Sequence, residues 1–329
     1  SHFRPIDARR SCFMRHDARN AWCMPKAEHF PANMTDLQPN APMRRLRRSK
    51  LFVPGNRPEI MRKAAQTEAD MLSLDLEDAV PAAQKPQARA DVAAFLADRT
   101  QRGQEIVVRI NARDTGLMVA DLLAIGAARP DLINVPKVED ERDLHLADDL
   151  LAHIEAEHGW PIGCIGLMPT LESPRGIRRA AQLCGTCPRV VAVQFGMGDL
   201  RARTGMSTAI EHLRPVRAQI MLAAAEAGID ALDGAYPDIA DLAGFMADAA
   251  EANSLGFRGK SCIHPSQIKA CNSAFGPTAA EIEDARALLQ AFDEAQARGV
   301  GAIRFRGRLV DEVHRIDAHR LLALAGRGA

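Results

Sequence analysis

The chain has 329 residues, 42 Lys plus Arg against 42 Asp plus Glu, and 47% apolar side chains. Zero net charge gives no argument for a nucleic acid or other polyanion as partner, and no apolar run reaches the roughly 18 residues of a membrane-spanning helix. No charged-then-apolar secretory segment opens the sequence and its seven scattered cysteines make no disulfide framework, so a cytoplasmic protein is expected, of one large α/β domain with an extension or of two smaller domains.

Residues 1–43 mix Arg, His, Asn, Pro and Met without a clear period. They read as an irregular leader to which no function is assigned. Ser1-His2 resembles a tag scar, and Met34 and Met43 are each a plausible start. Asp7, Asp17, Glu28 and Asp36 count against a transit peptide.

From Arg44 the pattern becomes regular. Short apolar runs are expected as strands at Leu51–Val53, Met71–Leu76, Ile106–Ile110, Leu132–Val135, Ile165–Leu171, Val190–Phe195, Ala231–Asp233 and Ser261–His264. Amphipathic stretches lie between them, among them Pro58–Ala69, Lys85–Asp98, Glu141–His158 and Pro215–Ala227. Eight alternations with strands apolar on both faces predict a (β/α)8 TIM barrel over residues 44–276. A doubly wound sheet would want a Gly-rich turn after the first strand, which Pro54-Gly55-Asn56-Arg57-Pro58 does not supply. Cys184-x-x-Cys187 has no second pair at metal-site spacing and reads as two thiols at a helix end. Residues 277–329 predict a helix–hairpin–helix extension, a lid or an oligomer contact. A capping box at Thr278-x-x-Glu281 opens its first helix, Ala302–Phe305 and Arg308–Val310 form the hairpin, and a last helix runs from Asp311 to about Ala325.

A barrel places its chemistry at the carboxyl ends of its strands. The polar residues there are Asp75, Glu77, Asp78, Arg109, Asn111, Lys137, Glu172, Asp199, Asp233 and His264. Singly each has a structural explanation: Arg109 as an ion-pair partner, Lys137 as a solvated loop lysine, His264 before Pro265 as a turn residue. Together they form one ring of charge, rich in carboxylates. Glu172 ends an apolar strand and is too costly to bury alone. Glu172 and Asp199, with waters and a chelating substrate, suit Mg2+, which prefers oxygen ligands. Zinc would want a His or Cys cluster. A glycosidase carboxylate pair would want stacking aromatics, and the chain has one Tyr and two Trp. Arg109 is a fixed cation suited to an enolate or carboxylate oxygen. Gly196-Met197-Gly198-Asp199 lets backbone N–H groups approach a ligand.

Six motifs follow in order at the strand ends: Ser49-Lys50-Leu51-Phe52-Val53-Pro54-Gly55-Asn56, Leu74-Asp75-Leu76-Glu77-Asp78-Ala79-Val80, Val108-Arg109-Ile110-Asn111, Val135-Pro136-Lys137-Val138-Glu139, Pro169-Thr170-Leu171-Glu172-Ser173 and Gly259-Lys260-Ser261-Cys262-Ile263-His264-Pro265. From about Arg44 to the C-terminus the chain resembles the beta subunit of citrate lyase and the malyl-CoA and citramalyl-CoA lyases, within the HpcH/HpaI aldolase superfamily. The resemblance implies a barrel, usually a homotrimer with a hexamer as the alternative. It implies an enzyme that makes or breaks a C–C bond in a CoA or acyl-carrier thioester. It implies Glu172 and Asp199 as Mg2+ ligands, Arg109 on the substrate, Glu77 as an acid near the metal's waters, and Glu172 and Pro265 against the substrate. Arg48 is similar to a residue that meets the CoA phosphates. Gly307-Arg308-Leu309-Val310-Asp311 resembles a closing motif whose aspartate enters the neighbouring subunit's site as acid/base.

Two positions depart from the family pattern. Gly198 stands where a Glu often precedes the aspartate, and Glu312-Val313-His314-Arg315 replaces a proline-containing continuation. The expected function is a Mg2+-dependent lyase that cleaves a 3-hydroxyacyl thioester into an acetyl-type thioester and a 2-oxo acid. The alternatives are a malyl-CoA-type thioesterase, a beta subunit active only with acyl-carrier partners, or an aldolase on free 2-oxo acids. The sequence leaves open whether glyoxylate, pyruvate or oxaloacetate is released.

Overall fold

The computed structural model describes residues 45–98 and 103–326. The readings of the leader and of Arg44 fall outside them. Eight parallel strands close into a barrel in sequence order: β1 (Ser49–Pro54), β2 (Met71–Asp75), β3 (Glu105–Arg109), β4 (Leu132–Val135), β5 (Gly166–Leu171), β6 (Ala192–Phe195), β7 (Asp230–Asp233) and β8 (Gly259–Cys262). Helices follow the strands on the outside, the longest within the barrel being Glu141–Glu157 and Ile210–Glu226. This is a (β/α)8 TIM barrel.

Strand alternation builds two cores. Outward residues such as Leu51, Val53, Leu72, Leu74, Val108, Ile133 and Val193 pack under the helices. Each such side chain, taken fully out of water, contributes about 1.5–3 kcal/mol. Inward, Met71, Val107, Leu132, Met168, Ala192 and Leu232 fill a separate apolar floor. Above that floor the interior turns polar, with buried Lys50, Ser73, Asn134, Thr170, Gln194 and Ser261. Asn134 donates to Thr170 Oγ1 at 2.8 Å, and Gln194 donates to Ser261 Oγ at 3.2 Å. Lys50 Nζ crosses the barrel to donate to Gln194 Oε1 and lies 4.0 Å from the centre of the Phe52 ring.

Outside the barrel, Arg217 of the helix Ile210–Glu226, Asp233 of β7, Asp248 of the helix Leu242–Ser254 and Lys260 of β8 form a buried quartet of two cations and two anions. Lys260 Nζ is 2.6 Å from Asp233 and 2.7 Å from Asp248, and Arg217 reaches them at 2.8 and 2.7 Å. Complete mutual pairing is what makes such burial tolerable.

Most element boundaries shift by one or two residues from expectation, and three of the differences bear on the packing. The helix after β1 ends at Ala64, not Ala69. The helix before β7 starts at Ile210 and carries Pro215 inside it. β8 begins two residues earlier, at Gly259, because glycine alone lets this strand approach the backbone of Arg47 and Arg48. The extension comprises the helix Ala279–Gln296, strands β9 (Ile303–Phe305) and β10 (Arg308–Val310), and the helix Glu312–Ala325. The Thr278–Glu281 capping box is formed. Ala285, Leu288, Leu289, Phe292, Val310 and Ala318 give the extension a small core of its own.

Candidate active site

The register of β2 and β3 sets Asp75 beside Arg109, both at their strands' last positions. Arg109 binds Asp75 through two bonds, Nε to Oδ1 at 2.7 Å and Nη2 to Oδ2 at 2.6 Å. Its Nη1 lies 2.9 Å from Glu77 Oε2 and 3.4 Å from Asp78. These carboxylates hold the guanidinium firmly charged, and the pairing pulls Asp75 below the usual carboxylate range against the effect of burial. The loop carrying Glu77 is fixed from below. Lys85 Nζ donates to the carbonyls of Leu76 at 2.9 Å and Glu77 at 2.8 Å, and to Asn111 Oδ1.

Glu172 follows β5 and is buried. The backbone N–H of Lys137 donates to its Oε1 at 2.6 Å. Lys137 is in the left-handed region, with φ +53°, uncommon for a lysine. Gly196, just past β6, lies against the glutamate: a Cβ there would be 2.5 Å from Glu172 Oε2. Asp199 sits in the first turn of the helix Met197–Thr204, where the amino-terminal dipole favours an anion. Burial first, then the neighbouring Asp199 and Glu77 carboxylates, push the Glu172 carboxyl up to about 8. No ion pair joins Glu172 to a cation among the described residues. Lys137 Nζ is 2.7 Å from Glu77, 3.5 Å from Asp78 and 4.0 Å from Asp199.

Glu77, Arg109, Glu172 and Asp199 therefore meet at the carboxyl end of the barrel, with Asp75, Asp78 and Lys137 among them. Pro265 is exposed at the same end, opening the short turn Pro265–Gln267 after β8. Arg48 does not join them. It immediately precedes β1, which puts it at the opposite, amino end of the barrel, where it pairs with Asp70 at 2.9 Å. The expectation that Arg48 meets a ligand of this site is withdrawn on that geometry. Asp311 bonds within its own extension, to Val313 N at 3.2 Å and His314 Nδ1 at 2.8 Å. Asp233 turns away into the quartet, because an odd step along β7 points outward. His264 is an exposed N-cap that accepts from Ser266 N.

Two residues matter more than the sequence indicated. Lys137 is a hub of the site and not a solvated loop lysine. Lys50 lies inside the barrel, a position legible from its alternation with Leu51 and Val53, which face the helices.

The donor set suits a hard divalent cation. Two carboxyl groups supply oxygen, no cation among the described residues pairs with Glu172, and Gly196 leaves the space its carboxyl needs. No group of three His, Cys, Asp or Glu residues forms a closed cage among the described residues. That is the pattern of Mg2+, held by one or two carboxylates and completed by water and substrate oxygens.

Residues 48–265 match the family model for HpcH/HpaI aldolase/citrate lyase. The chain belongs to that family. Within the family it is 35% identical over 283 residues to the citrate lyase subunit beta of Leuconostoc mesenteroides subsp. cremoris, covering 85% of this chain and 94% of that one. It is 36% identical over 296 residues to the L-malyl-CoA/beta-methylmalyl-CoA lyase of Rhodobacter capsulatus, covering 83% and 92%. Among solved structures, CitE of Mycobacterium tuberculosis in complex with magnesium, acetoacetate and coenzyme A has a TM-score of 0.68 at 33% identity, covering 84% of this chain and 97% of that one. A citrate lyase from Burkholderia xenovorans, at 23% identity and a TM-score of 0.76 over 89% and 95% of the two chains, shares the fold.

Proposed function

We propose that the chain is a Mg2+-dependent carbon–carbon lyase that cleaves a 3-hydroxyacyl thioester of CoA or an acyl carrier into an acetyl-type thioester and a 2-oxo acid. The observation that carries this is the pairing of an immobilised guanidinium, Arg109 on Asp75, with two acidic ligands, Glu172 and Asp199, at one barrel mouth. Magnesium, when bound, supplies chelation of the hydroxyl and carboxylate of the departing oxo-acid portion. Glu172 and Asp199 would hold it. Arg109 steadies the thioester oxygen as negative charge builds there. Glu77 keeps Arg109 and Lys137 in place.

Cleavage breaks the bond to the carbinol carbon. The hydroxyl loses its proton and the acetyl-derived carbon gains one. Asp311 is the acid/base for that carbon, delivered by a neighbouring protomer, as the resemblance of its closing motif implies. A homotrimer or hexamer in the cytoplasm is part of the same reading. Among the described residues no helix is long and apolar enough to cross a membrane.

Mass-spectrometric product analysis tests the proposal. The protein is offered malyl-CoA, citramalyl-CoA, methylmalyl-CoA and citryl-CoA, each with Mg2+ and with chelator. Magnesium-dependent acetyl-CoA or propionyl-CoA plus a 2-oxo acid is expected. Free CoA with an intact hydroxy acid would make the chain a thioesterase. Turnover of carrier-bound substrate alone would make it a partner-dependent subunit.

A further inference from the structure

Lys137 is bound into the acidic mouth twice. Its backbone N–H holds Glu172 Oε1 at 2.6 Å, at the cost of a left-handed backbone that glycine would adopt freely. Its ammonium lies among Glu77, Asp78 and Asp199, at 2.7, 3.5 and 4.0 Å. A solvated loop lysine needs neither arrangement. Strained non-glycine backbone persists where the surroundings over-determine it, and here the same residue bonds one expected metal ligand through its backbone and sets its ammonium 4.0 Å from the other.

We propose that Lys137 is a built-in counter-cation of this site, which holds the carboxylates together and competes with the divalent cation for them. The inference rests on the metal reading above. A positive charge 4.0 Å from an Asp199 oxygen repels an incoming divalent ion. The same charge relieves the mutual repulsion of the three carboxylates around it when no ion is bound. The device lowers affinity for the metal alone and keeps the metal-free mouth in a competent shape. Lys137 is thus a positioning residue, not a catalytic one.

The test uses the full chain and Mn2+ as probe, titrated by calorimetry and by electron paramagnetic resonance, with melting followed with and without the ion. Lys137→Met removes the charge and keeps the side-chain length. Lys137→Gly removes the charge and relieves the backbone, and serves as the second variant should the first fold poorly. Both are expected to bind Mn2+ about three- to tenfold more tightly than wild type, the factor being limited by solvent screening at a part-exposed lysine. Both should also show a larger Mn2+-induced rise in melting temperature. Wild-type binding with equal or weaker binding by both variants overturns the counter-cation role and leaves the metal site standing. Binding by the variants alone supports both readings. Absence of binding in all three proteins overturns the metal reading itself, and this inference with it.

Discussion

Lys50 is a lysine at the centre of a barrel with no carboxylate within ion-pair distance among the described residues. Its bond is to the Gln194 amide oxygen, and the Phe52 ring covers it. Burial first and then the Arg109 charge push its pKa well below 10.5, only partly opposed by Asp75 and Glu172. The unfolded chain therefore binds a proton that the folded chain does not, between the lowered value and 10.5. Stability must rise with pH across that window. Urea unfolding from pH 7 to 10 should show wild type gaining on Lys50→Met by up to about 1.4 kcal/mol per pH unit. Parallel curves would mean that Lys50 is charged in the fold. Asp199 gives the complementary case. It is partly exposed and its ion pair is long, at 4.0 Å, so Asp199→Asn should leave the melting temperature nearly unchanged. Its Mn2+ affinity should nevertheless fall about tenfold or more.

Among the elements, the strand ends decide the site. Gly196 is required where β6 passes under Glu172, and Gly196→Ala should displace the carboxylate it crowds. The expected result is Mn2+ binding weakened about tenfold with a stability cost of about 1–3 kcal/mol; intact binding would show that the loop after β6 can yield. Strand order, the polar ends of β2, β3 and β5 and the capping box of the extension were legible in the sequence, because buried strands, chain reversal and capping each leave a local signature. What was not legible is where direction depends on a single step along a strand. Asp233 stands one residue from an inward position, so it enters the quartet and not the mouth. Lys137 was misjudged for a different reason: its importance comes from a backbone angle and from Glu77 and Glu172, partners 60 and 35 residues away in sequence. Arg48 shows that closeness to a strand is not enough, since the start and the end of β1 open on opposite faces of the barrel.

For the molecule as a whole, the Arg217–Asp233–Asp248–Lys260 quartet locks the last two barrel strands to two helices. Arg217→Met would leave two buried carboxylates to one lysine and should cost about 3–5 kcal/mol in urea unfolding. A loss below about 1 kcal/mol would show that water or Lys260 compensates. Assembly has its own test. If Asp311 serves a neighbour's mouth, Asp311→Asn and Arg109→Lys, each inactive alone, should recover activity after subunit exchange, in roughly a quarter of sites by random mixing. No recovery despite demonstrated exchange would place Asp311 in its own chain's chemistry or in none.

Gly198 carries a last consequence. A Cβ built there meets no atom within 4 Å, although the residue directly precedes Asp199 at the mouth. The backbone thus leaves the first side-chain atom unobstructed at the position where the family often carries an acid. Gly198→Glu should fold unaltered and add a further carboxylate beside the pair, so the present ligand set is a matter of one side chain and not of architecture. In evolutionary terms the two forms of the mouth are neighbours, separated by a single substitution at a position where a Cβ meets no neighbour.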